Sequence, residues 1–134
     1  MSFEGIIQQA IFERLKNSSS ITTANVGVYD EVPQAEDSVF PFIVIGDDHL
    51  LQWDTNTELG AEVTATIHTW SRFSGKSETK ALQSIIYTAL HRADVVVTDY
   101  TVVLCVWLNS TSFLDTDGIT RHGVQTFKLL IEKN

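Results

Sequence analysis

Two short motifs in this chain carry residue types that do chemistry elsewhere. Gly75-Lys76-Ser77 stands where a strand gives way to a helix, the place where a phosphate-binding loop ends. Such a loop needs a glycine five positions before Gly75, so that consecutive backbone N–H groups wrap the phosphates. Trp70 stands there instead, and the triplet is expected to mark a helix start. Asp115, Asp117 and Gly118 resemble the middle of a calcium loop, whose side-chain ligands include positions one and twelve. In that register these are Phe113 and Val124, neither of which coordinates calcium, so an Asp-Gly hairpin turn is the expectation.

The histidines, His49, His68, His91 and His122, do not pair with one another, with cysteine or with a carboxylate at metal-site spacing. With one cysteine, Cys105, neither a thiolate zinc site nor an intrachain disulfide is expected. Cys105 lies in the apolar run Val102-Val103-Leu104-Cys105-Val106-Trp107, where a thiol behaves as a small buried hydrophobe. No serine sits in a nucleophile-elbow pattern, although triads assemble from distant positions. His68 and His122 are expected on the surface or in contacts. The residues thus point to no catalytic site, no metal and no cofactor.

Composition bounds the remaining classes. The chain has 134 residues, 43% hydrophobic and 19% charged, with two prolines, which fits one globular domain over 1–134. The formal net charge is −8, and the nine Lys and Arg are scattered, whereas tight nucleic-acid binding rests on grouped cations that neutralise phosphates. A lone thiol fits a reducing compartment. There is no basic region followed by an apolar one at the start, and no apolar stretch approaches the ~18 residues that span a bilayer. A soluble protein made in the cytoplasm is expected.

The elements that position these residues follow from periodicity. Phe3, Ile6, Ile7, Ala10, Ile11 and Leu15 share one face of a first helix, with Ser2 placed to cap it and Asn17-Ser18-Ser19-Ser20 to end it. A short extended piece around Val26–Tyr29 precedes an acidic loop near residues 30–40, expected to be mobile. Pro41 opens a strand that runs through Phe42-Ile43-Val44-Ile45 toward Trp53. Ala61, Val63, Ala65 and Ile67 then alternate with polar residues as a half-buried strand, after the turn Asp54-Thr55-Asn56-Thr57.

Ala81, Leu82, Ile85, Ile86, Ala89 and Leu90 mark a second amphipathic helix, with Ser74 or Ser77 placed to cap it. A second hairpin pairs Thr101–Leu114 with Thr120–Ile131 through the turn Asp115–Gly118. The predicted fold is α+β, an antiparallel sheet of about four to five strands with two helices on one face, in the order α-β-β-β-α-β-β. Trp107 is expected in the core. For Trp53, at the hairpin tip, and Trp70, on the polar face, core packing and interface anchoring both stay open.

Pro41-Phe42-Ile43-Val44-Ile45-Gly46, Trp53-Asp54-Thr55, Val63 to Trp70-Ser71-Arg72, Leu90-His91-Arg92-Ala93-Asp94 and Asp117-Gly118-Ile119-Thr120-Arg121-His122-Gly123 together resemble the tail-completion proteins of long-tailed phages, the tail terminators or tail-to-head joining proteins. The order and spacing of these stretches carry the likeness over nearly the whole chain.

The resemblance implies a structural virion protein at the head–tail junction, assembled in the host cytoplasm. It implies a hexameric ring that closes the head-proximal end of the tail tube, with the tube protein and the head-completion protein as partners. DNA would pass through the ring without specific binding, and there would be no membrane. The loops that hold Trp53 and Asp54, and Arg72 and Lys76, are then the expected contacts to neighbouring subunits or tube. The alternative is a non-viral adaptor module that docks a partner on a sheet edge. A small hydrolase using His68 or His122 with a serine is a third.

Overall fold

The computed structural model describes residues 3–34 and 39–134. Ser2 and the middle of the acidic loop lie outside the described residues, and with them the cap and the loop behaviour expected there. Three helices and six strands are described: α1 (Phe3–Lys16), α2 (Ser19–Thr23), β1 (Gly27–Tyr29), β2 (Phe42–Gln52), β3 (Gly60–Ser71), α3 (Ser77–Leu90), β4 (Val96–Val97), β5 (Tyr100–Leu114) and β6 (Arg121–Lys133). The fold is α+β, as the periodicity predicts.

The sheet differs from expectation in two respects. It has six strands, in the order β1-β2-β3-β6-β5-β4, because the two-residue β4 adds an edge that no alternation signals. It is also mixed, since β1 runs parallel to β2, with Gly27 opposite Phe42 and Tyr29 opposite Val44. A three-residue strand after a helix carries no sign of its direction. Ser19 and Ser20, expected only to end α1, open α2, whose Ile21 is 1% exposed and anchors the turn to the core.

Alternation in β3 and β6 decides which face is covered. Ala61, Val63, Ala65 and Ile67 on β3 point the same way as Phe127, Leu129 and Ile131 on β6, and all are buried. Against them pack Ile7, Ile11 and Leu15 of α1 and Leu82, Ile86 and Leu90 of α3. The same face turns polar toward the other end of β3, where Thr69, Ser71, Thr79, Thr120 and Gln125 are buried. Gln125 donates from Nε2 to the Gln83 carbonyl at 2.9 Å, which ties this polar layer to α3. Gly123 makes the approach feasible, because a Cβ there would sit 2.7 Å from Gln83 Nε2.

Neither expected serine caps α3. Lys76 occupies the cap position without a side-chain hydrogen bond, and Ser77 is the first helical residue. The first turn is instead held by Glu78, whose Oε1 accepts from Ser71 Oγ at 2.6 Å.

Both outermost strands are short, which limits the backbone offered to foreign strands. Along β5, past β4, side chains and loop groups occupy the outer edge. Trp107 N donates to His91 Nδ1 at 3.0 Å, Arg92 N to the Cys105 carbonyl at 2.7 Å, and Gln83 Nε2 to the Thr111 carbonyl at 2.9 Å.

Trp107 is not core as expected, being 38% exposed. Register shifts at Val102/Leu104 and Trp107/Asn109 break the alternation of β5, and the ring lies at the sheet's edge, edge-on to Tyr87. Its Nε1 donates to Ser110 Oγ at 2.7 Å. Cys105 is buried as expected, and burial raises its thiol to about 11, so it stays protonated and unreactive at neutral pH.

Candidate functional site

The sheet face away from the helices carries a row of rings. Phe42 on β2 faces Trp70 on β3, Trp70 faces His122 on β6, and His122 faces Phe113 on β5, so four strands place one ring each at the same level. The Trp70 and His122 planes stack at 4.3 Å between centroids, Trp70 and Phe42 at 5.4 Å, and Phe113 meets His122 edge-on at 4.9 Å. Such pairs between neighbouring strands stabilise a sheet face beyond the area they bury.

His68 lies two residues before Trp70 on the same face and stacks on both Trp70 and His122. Its Nδ1 is 2.8 Å from His122 Nε2, so one ring donates and the other accepts. Gly46 makes room for it, since a Cβ there would fall 2.5 Å from the His68 ring.

The pair favours the neutral form. Burial lowers the pKa of His68, with Asp47 opposing, and burial together with the neighbouring His68 lowers that of His122, with Asp115 opposing. Below the ordinary histidine range the unfolded chain therefore binds protons that the folded chain resists, and stability falls as pH drops. The melting temperature should fall from pH 7 toward pH 5, and the double variant H68Q/H122Q should show a flatter profile there. An unchanged slope in that variant would contradict the assignment.

His68 and His122 hydrogen-bond each other, and among the described residues neither bonds a serine hydroxyl. Among the described residues no group of three His, Cys, Asp or Glu side chains converges as metal ligands would. Asp117 serves its own turn: Oδ1 accepts from the N–H groups of Ile119 and Thr120, and Oδ2 from Thr120 Oγ1. Those bonds hold its carboxyl down at about 2, and Gly118 supplies the left-handed φ of 73° that the turn requires.

The four residues singled out in sequence fall into two groups at opposite ends of β3. Trp53 and Asp54 sit in the loop before it, where Asp54 Oδ1 accepts from Gly60 N at 2.9 Å and Trp53 is 36% exposed. Arg72 and Lys76 sit after it. The Arg72 guanidinium lies 4.3 Å from the Phe40 ring centroid, and its Nε donates to Thr120 Oγ1 at 3.3 Å. The ring row and the paired histidines were not found in sequence. Alternation alone puts His68 and Trp70 on one face, but the register that sets His122 beside them depends on a partner strand more than 50 residues on.

Comparison with known proteins identifies the kind of molecule to which this architecture belongs. Residues 9–132 match the family model described as "Tail completion protein gp17". The tail completion protein gp17 of Bacillus phage SPP1 is 26% identical over 128 residues, which cover 96% of this chain and 93% of that protein. The solved structure of the SPP1 gp17 protein superposes with a TM-score of 0.60 at 25% identity, covering 91% of this chain and 86% of that one. A chain of the virion of a native gene transfer agent particle shares the fold more closely, with a TM-score of 0.87 at 21% identity over 98% of this chain and 99% of its own. The chain belongs to the phage tail completion protein family described by gp17.

Proposed function

We propose that this protein completes a phage tail at its head-proximal end, where copies of it close the tail tube as a hexameric ring and present a surface to the head-completion protein. The observation that carries the reading is the extent of the likeness to SPP1 gp17, which spans 96% of this chain and 93% of that tail completion protein. The role is structural, performed at the head–tail junction of the virion, and DNA passes through the ring without specific contacts.

The contact residues follow from exposure and position. Trp53 and Asp54 at one end of β3, and Arg72 and Lys76 at the other, project from loops that the sheet holds apart. A large half-exposed indole is the kind of residue that anchors protein interfaces. Trp53→Ala and Arg72→Ala should each leave the protein folded and reduce the joining of tails to heads, scored by counting joined particles in electron micrographs. Normal joining by both folded variants would contradict this choice of contacts.

A further inference from the structure

The net charge has a geometry. Residues 17–71 hold nine carboxylates and no Lys or Arg, whereas the other residues hold eight carboxylates and all nine Lys and Arg. The acidic stretch takes in β1, β2 and β3, and β3 is a 12-residue strand roughly 35 Å long at ~3.3 Å per residue. The loop before β3 offers Asp54 and Glu58 beside exposed apolar side chains, with Leu51 51%, Leu59 52% and Trp53 36% exposed. The opposite end offers Lys76 and Arg121 around Phe113 and Leu114, with Phe73 and Ile119 exposed beyond them at 54% and 62%.

The carboxylates near the cationic end are already engaged. Glu78 accepts from Ser71, Asp117 from its own turn, and Asp115 Oδ1 from Thr116 N. Among the described residues the one ion pair joins Glu62 to Lys128, and none involves Lys76 or Arg121.

We infer that the Trp53 end of one copy docks on the Lys76–Arg121 end of the next, an inference that rests on the ring reading above and assigns its subunit contact. Apolar side chains meet at the centre of this contact, and carboxylates meet cations around it. A second copy is the occupant because the loop before β3 carries Asp54 and Glu58 with no Lys or Arg, and the opposite end carries Lys76 and Arg121. Two different patches joined head to tail form a heterologous contact, the kind that closes a ring when the rotation between copies allows it. The strands then run around the ring rather than along its axis, which leaves the sheet's two edges for the tube and the head.

The test uses cysteine cross-linking in assembled particles. Glu58→Cys and Lys76→Cys fall on exposed loop positions, and buried Cys105 does not compete for reagent. Particles carrying the double variant, treated with a long bis-maleimide, should yield a ladder of covalent multimers on a denaturing gel. Each single variant should remain monomeric. Monomer alone from the double variant, with the protein present in the particles, would overturn this contact and leave the ring reading standing. Efficient dimers from either single variant would overturn it in favour of like-to-like contact. Absence of the protein from the particles would overturn both readings.

Discussion

Phe127→Ala should destabilise the protein by about 3–5 kcal/mol, the cost typical of removing a large aromatic side chain from a packed core. Phe127 is fully buried on the helix-covered face of β6, between Ala65 of β3 and Trp107 of β5. Its neighbour across β3 is an alanine, too short to reach into the space that the ring would leave. The strands on both sides hold it by backbone pairing, which limits collapse around the cavity. Against a typical total of about 5–15 kcal/mol, the loss should lower the denaturation midpoint strongly. Chemical unfolding followed by tryptophan fluorescence measures it, and a change under about 1 kcal/mol would contradict the assigned packing.

Trp70→Ala should cost about 2–4 kcal/mol, less than the core change because the ring is half-buried on the uncovered face. The indole stacks on Phe42, His68 and His122, so its removal strips three ring contacts at once. Trp70→Phe keeps an aromatic plane at that position and should recover most of the loss. Equal destabilisation by alanine and phenylalanine would show that the stacked row does not stabilise the sheet. The alanine variant should also lose part of its acid sensitivity, because water then reaches the histidine pair and relieves the burial that lowers both pKa values.

How much of this was legible beforehand depends on the range of each interaction. Helix faces and strand alternation are local, so Ile7, Ile11 and Leu15, or Val63, Ala65 and Ile67, are assigned to the core by spacing alone. The Asp115–Gly118 turn was equally readable, because its chemistry lies within four residues. The direction of β1 and the existence of β4 were not, since both are fixed by pairing with strands elsewhere and are too short to carry a period. Trp107 was misplaced because register shifts in β5 reset the alternation, and a bulge leaves no mark in an apolar run.

The candidate contacts were legible as types and not as geometry. Trp53, Asp54, Arg72 and Lys76 were visible as an indole and charges beside turns. That they flank one strand was readable as well, and what each side chain touches follows from the fold. The paired histidines show the opposite limit: two polar-face residues of ordinary appearance become a half-buried hydrogen-bonded pair once β3 and β6 are set in register.

The role proposed for this protein is to complete tails at the junction with the head. Electron microscopy of lysates from phage that lack it tests this most directly. Filled heads and separate tails are expected, the tails overlong or of normal length with unfinished ends, with joining restored when the protein is supplied. Normal-length tails joined to heads in its absence would contradict that role.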